Sequence, residues 1–356
     1  MSTNDGVGSA LCAALAGAFS RDVTLRNGLL PMSGGFWAQI YAFELVDPPD
    51  ELQGPLVLRV MPDTTAGLRE AVVQRWLAAS GFSTPTVVAS GTAPGLGDAY
   101  MVMQRAAGAP PLAGLKLGPA LFGLRRILST LPTLLADAAI SLHSREPRPL
   151  NEELVKAGVQ PTSGDAAATY LAAIGRAAVS FEPSRLGELG AWFEANRPTS
   201  SGDVICHGDL HPFNLLVDDT GEVTVLDWTN ATIAPREMDI GFTVGLLRCA
   251  PIAVPRPIRP IISRIAERLA SKFIDAYGQR APINASAVAW WEAVQHARCL
   301  ADLTYGRLNP GSTVGPNHPF ETSAPAMQQR LHKLTGIAIT LPNRIATSAT
   351  HAMVSA

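Results

Sequence analysis

No apolar run in the chain reaches the roughly 18 residues that a membrane-spanning helix needs. The best candidate, Ala10–Phe19, is ten residues long and contains Cys12 and Gly17. The stretch before it holds Asp5 and neither Lys nor Arg, a poor secretion signal, so an amphipathic first helix is expected there. Cysteine is scarce: Cys12, Cys206, Cys249 and Cys299 form no CxxC pair. That excludes a zinc framework and suits a reducing, cytoplasmic setting. Lysine is equally scarce, four of 28 basic residues, as in an Ala- and Arg-rich bacterial proteome. Charged residues make up only 16 % and the net charge is −2, which argues against nucleic acid as a partner.

Apolar side chains are plentiful, 47 % of 356 residues, enough for a large core and for two domains or lobes. Two strand-like runs, Trp37–Val46 and Pro55–Val60, flank the turn Asp47-Pro48-Pro49-Asp50. Gly67–Ser80 carries apolar residues at helical spacing. Pro85–Ser90 and Tyr100–Gln104 read as short strands, and Gly108–Pro111 breaks the chain. Leu121–Ser144 and most of 165–195 and 258–305 read as helix. The expected fold is α+β, with a strand-rich lobe over 1–105 and a larger helical lobe over 106–356. Residues 341–356, rich in Ser, Thr and Ala, read as a loose tail.

Chemistry concentrates between Val204 and Ile240. Val204–Cys206 is a short apolar strand, and His207–Asn214 a polar loop containing Gly208 and Pro212. Leu215–Val217 and Val223–Leu226 flank the turn Asp218–Gly221. A hairpin of this kind brings Asp209, Asn214 and Asp227 toward one end of a two-stranded unit. Phosphoryl transfer needs such a set: a base at the acceptor hydroxyl and hard oxygen ligands for Mg²⁺ on the phosphates.

The run His207-Gly208-Asp209-Leu210-His211-Pro212-Phe213-Asn214 resembles the HGDxHxxN loop of the aminoglycoside phosphotransferase and choline kinase family. Leu226-Asp227-Trp228 is similar to that family's strand-borne aspartate motif, and Met238-Asp239-Ile240 to a later aspartate. The resemblance covers about residues 28–250 and implies a protein-kinase-like, two-lobed fold that uses ATP or GTP with Mg²⁺. It assigns Asp209 as catalytic base, Asn214 and Asp227 as metal ligands, and His207 and Asp239 as supports of the loop. Upstream, Ser33-Gly34-Gly35-Phe36 resembles the nucleotide loop, and Arg59 the strand cation that contacts phosphate. Glu70 resembles the helix carboxylate paired with that cation, and Tyr100–Arg105 with Gln104 the strand beside the adenine. His143 falls at a structural position of the family.

Two other readings compete. One is a nucleotide-binding pseudokinase. The other is a metal-dependent hydrolase, because His207, Asp209 and His211 would share one face of an extended strand. Asp218 and Asp219 read as turn residues. Trp290 and Trp291 read as one core and one surface residue, or as the lining of an acceptor pocket. Residues 1–239 carry net −9 and residues 240–356 net +7. In this family the acceptor usually lies against the C-terminal helices, so a neutral or anionic hydroxyl compound is expected rather than a polycationic aminoglycoside. No activation segment of protein-kinase type lies between Asp227 and Asp239.

Overall fold

The structure, a computed structural model, describes residues 3–32, 38–112, 120–160, 164–177, 183–250, 256–309, 318 and 320–345. The chain forms two compact units. The first comprises Met1–Gly123, Ser141–Thr162 and Pro212–Thr232; the second Leu124–Ile140, Ser163–His211 and Ile233–Ala356. The loop of interest crosses the division, with His207–His211 in the second unit and Pro212–Asn214 in the first.

The first unit begins with helix α1 (Thr3–Phe19) and is built on an antiparallel sheet. Short strands β1 (Thr24–Leu25) and β4 (Leu45–Val46) pair with each other. The main sheet contains β2 (Leu30–Pro31), β3 (Gln39–Phe43), β5 (Leu56–Met61), β6 (Val87–Gly91) and β7 (Ala99–Gln104), in the order β2-β3-β5-β7-β6. Central β5 reads Leu-Val-Leu-Arg-Val-Met, apolar on both faces except at Arg59. Its even-numbered residues Leu56, Leu58 and Val60 pack with Leu11 and Leu15 of α1. Its odd-numbered residues face the other way, where Val57 and Met61 cluster with Ala71, Met101 and Met103. Ala71 belongs to α2 (Thr64–Ala79), so the two-residue period of the strand turns Arg59 toward that helix.

Helix α2 starts three residues before the expected Gly67, because the Asp63 carboxylate accepts from Ala66 N at 2.7 Å and caps it. Helix α3 (Ala120–His143) is the expected long helix, and α4 (Pro147–Lys156) packs on α2. Strands β9 (Leu215–Val217) and β10 (Val223–Val225) form the expected hairpin. Asp218 organises its turn, accepting from Thr220 N, Thr220 Oγ1 and Glu222 N. Ala109 and Val217 exchange backbone hydrogen bonds. Gly108 beside them has φ +97°, and a Cβ there would lie 2.5 Å from Val217 O, so only glycine fits.

The second unit pairs β8 (Asp203–Cys206) with β11 (Thr232–Pro235). Around them lie α5 (Ala166–Ala177), α6 (Pro183–Ala195), α7 (Arg236–Arg248), α8 (Arg259–Gly278), α9 (Ala285–Leu308) and α10 (Phe320–Thr335). Helix α7 is buried from Glu237 to Leu247 and crosses α9 at Gly241. Trp290 and Trp291 are both core residues, 2 % exposed, which corrects the expectation of one surface ring. Trp290 Nε1 donates to Phe193 O at 3.0 Å, and the two indoles meet edge to face at 4.9 Å. The stretch 341–345 is not loose as expected. Arg344 pairs with Glu321 at 2.6 Å and Ile345 N donates to Arg307 O. Residues 346–356 lie outside the described residues.

Candidate active site

In the first unit, Arg59 is 7 % exposed and its Nη1 lies 3.0 Å from Glu70 Oε1 and 3.5 Å from Asp227 Oδ2. The strand cation and the helix carboxylate thus meet, and the aspartate after the hairpin joins them, a contact the sequence did not foretell. Burial opposes the charge of Arg59, but Glu70 and Asp227 outweigh it and raise its pKa. Burial lifts the Glu70 pKa; Arg59 draws it down, Asp227 adds to the rise, and the net direction is up.

Asp227 is placed by its backbone neighbours. Val225 N donates to Ser83 O and Leu226 N to Asn214 O, both at 2.9 Å. The Asp227 backbone then turns to φ +64°, a strained conformation for a residue with a Cβ. Trp228, 1 % exposed, anchors the far side, donating to Thr84 Oγ1 at 2.8 Å and meeting Phe82 edge to face. Thr229, not singled out by the sequence, lies between the two carboxylates. Its Oγ1 is 2.8 Å from Asp227 Oδ1 and 3.0 Å from Glu70 Oε2.

Asn214 closes a short 3-10 turn, Pro212–Asn214, and its carbonyl accepts from Leu226 N. Gln104 stands apart from Arg59 along the sheet. It pairs with Leu56, whereas Arg59 pairs with Met101. Its N–H goes to Thr86 O, its side chain donates to Glu51 O at 3.4 Å, and Arg105 N donates to Pro55 O. Ser33, Gly34, Gly35 and Phe36 lie outside the described residues.

In the second unit, Asp239 in the first turn of α7 is 1 % exposed. Its Oδ2 accepts from His207 N at 2.9 Å and its Oδ1 from Gly208 N at 2.7 Å. His207 is fully buried, and its Nδ1 accepts from Asp209 N at 3.2 Å. Gly208, at φ +77°, turns the chain between them. Residues 207–211 therefore form a braced loop rather than an extended strand. The one-face alternation that the hydrolase reading requires is absent, and that reading is corrected. Asp209 Oδ2 is 3.6 Å from His211 Nε2, with both side chains about a quarter exposed.

Arg298 on α9 stacks 5.7 Å over the Phe242 ring and donates to Gln295. Burial opposes its charge, but Cys299, Tyr170, Asp302 and Asp209 hold its pKa up. Sequence alone offered no signal for Arg298, which reads there as one more arginine on a helix. A cavity of about 230 Å³ in this unit is lined by Asp165, Arg197, Asp203, Glu237, Trp290 and Trp291 among others. Its lining includes Trp290 and Trp291 but none of Arg59, Glu70, Gln104, His207, Asp209, Asn214, Asp227 and Asp239.

A model of the phosphotransferase enzyme family matches residues 30–283. Solved structures with the same architecture include an aminoglycoside phosphotransferase from Ralstonia eutropha, described as putative, at 18 % identity and TM-score 0.63. That match covers 91 % of this chain and 98 % of the other. A thermostable mutant of another aminoglycoside phosphotransferase, a ternary complex with AMP-PNP and hygromycin B, aligns at 15 % identity and TM-score 0.59. Coverage there is 92 % and 98 %. A Plasmodium vivax ethanolamine kinase aligns at 12 % identity and TM-score 0.55, covering 87 % and 81 %. These likenesses establish the protein-kinase-like α+β fold. A search of the curated proteins finds no match.

Proposed function

Since the chain belongs to the phosphotransferase enzyme family, we propose that it transfers the γ-phosphoryl group of ATP or GTP to a hydroxyl of a small molecule. The observation that carries this reading is the cluster of Arg59, Glu70 and Asp227, with contacts of 3.0 and 3.5 Å. Burying Arg59 and Glu70 is costly, and the guanidinium held beside the partly exposed Asp227 suits nucleotide phosphates.

The roles follow from residue chemistry. Asp209 accepts the proton of the acceptor hydroxyl as it attacks, and the braced loop limits the wandering of its carboxylate. Arg59, fixed by Glu70, contacts the α and β phosphates, where a guanidinium binds oxygens in bidentate fashion. Asn214 and Asp227 offer hard oxygens suited to Mg²⁺, and the Asp227 side chain is 38 % exposed and open to a ligand. Mg²⁺ bound there would neutralise charge on the phosphate oxygens. The Ser33-Gly34-Gly35-Phe36 motif is assigned to the phosphates on its sequence resemblance alone. Asp239 and His207 hold the loop and take no part in bond making.

A neutral or anionic acceptor remains favoured. Within its own unit Asp209 interacts electrostatically with the Arg298 cation, which disfavours a polycation.

The test is calorimetric titration of ATP and of GTP, each with and without Mg²⁺, followed by nucleoside diphosphate release over a panel of hydroxyl compounds. Mg²⁺-dependent binding followed by turnover supports the reading. Binding without turnover on any acceptor supports the pseudokinase, and no binding of either nucleotide refutes both.

A further inference from the structure

Asp227 has two carboxylate oxygens, and both are engaged. Oδ2 faces Arg59 Nη1 at 3.5 Å. Oδ1 lies 2.8 Å from Thr229 Oγ1, with Thr229 N also directed at it from 3.4 Å. The same hydroxyl lies 3.0 Å from Glu70 Oε2, a contact spanning 159 residues of sequence. Glu70 is 2 % exposed and takes a backbone donor from Trp228 as well, so loss of the Thr229 hydroxyl removes one of the few donors to a buried carboxylate. The ring closes through Arg59 Nη1, 3.0 Å from Glu70 Oε1.

We infer that Thr229 is a positioning residue, tying the Asp227 carboxylate to the Glu70–Arg59 pair so that metal ligand and phosphate-binding cation are set together. The inference rests on the phosphotransferase reading above and adds to it a residue that no motif marks. A hydroxyl carries one hydrogen and donates to one acceptor at a time. Rotation about a single bond moves that hydrogen from Asp227 Oδ1 to Glu70 Oε2. The hydroxyl therefore keeps the buried Glu70 satisfied while Oδ1 turns to a metal. Valine at this position fills nearly the same volume and supplies no hydrogen. Asp227 Oδ1 would then keep only the longer backbone contact from residue 229, on a strained backbone, and Glu70 would lose a donor.

The measurement is Mn²⁺ binding, followed by electron paramagnetic resonance, in the presence of AMP-PNP. Wild type, Asp227→Ala, Thr229→Val and Thr229→Ser are compared, with a thermal melt of each. The expected result is no specific Mn²⁺ binding by D227A and affinity lowered about tenfold or more in T229V. T229S, which keeps the hydroxyl, restores most of the affinity. Wild-type affinity in T229V alongside loss in D227A overturns the role of Thr229 and leaves the phosphotransferase reading standing. Equal weakness of T229S and T229V overturns it too, because the hydroxyl is then not what matters. Absence of Mn²⁺ binding by wild type, or wild-type binding by D227A, overturns the metal site and the inference with it. Should T229V lose its cooperative melt, T229A takes its place with the same expectation.

Discussion

At the scale of single residues, the loop and the buried charges make separate predictions. Replacing Asp209 by Asn removes the proton acceptor but keeps size and hydrogen bonding. Turnover should fall by at least about 100-fold while the far-ultraviolet spectrum and melt stay those of wild type. Glu292 gives a prediction about pH. It is 1 % exposed, and its carboxylate pairs with Arg248 at 2.6 Å and Arg330 at 2.7 Å. Burial would raise its pKa, but His296, Arg330 and Arg248 win and lower it from 4.5 to about 2. A carboxyl lowered on folding contributes stability that is complete above its unfolded pKa and lost as pH falls through the folded one. About 3 kcal/mol should therefore disappear between pH 4.5 and about 2. Urea midpoints measured across that window should show a shallower fall in Glu292→Gln. The motif residues were legible because local spacing carries them: HGDxHxxN and LDW are contiguous. Thr229 and Arg298 were not, because their relevant neighbours come from other elements.

At the scale of elements, the crossing of α7 and α9 is set by a missing side chain. A Cβ on Gly241 would lie 2.7 Å from Trp291 Cβ, 2.8 Å from Val288 O and 2.9 Å from Glu292 N. Two of these are backbone atoms, so Gly241→Ala must push the helices apart and should cost about 2 kcal/mol or more by urea unfolding. One turn on, a Cβ at Gly245 meets only side-chain atoms at 3.4 Å and beyond. Gly245→Ala should be neutral, or stabilising by up to about 1 kcal/mol through helix propensity. The hairpin β9–β10 and strands β5 and β7 were readable from turn residues and apolar runs. The burial of α7 around its whole circumference, and of both Trp290 and Trp291, was not. Periodicity reports one buried face, and α7 has neighbours on every side.

At the scale of the molecule, nucleotide binding should stabilise the fold. ATP or GTP with Mg²⁺ at about 100 times its Kd should add about 2.7 kcal/mol, read as an upward shift of the thermal midpoint. The regional charge that pointed away from polycationic acceptors changes meaning in three dimensions. Of the basic residues in 240–356, Arg248, Arg280, Arg307, Arg330 and Arg344 are each ion-paired with a carboxylate. Arg298, whose charge Asp209 helps to hold, bears on the acceptor more than the sum does. By itself, the sequence determined the element types, the loop motif and the family, since each is carried by short contiguous stretches. Only the tertiary structure decided that Arg59, Glu70, Thr229 and Asp227 form one ring of contacts. Those residues come from a strand, a helix and the segment after a hairpin, and a linear pattern records no distance between elements that chain folding brings together.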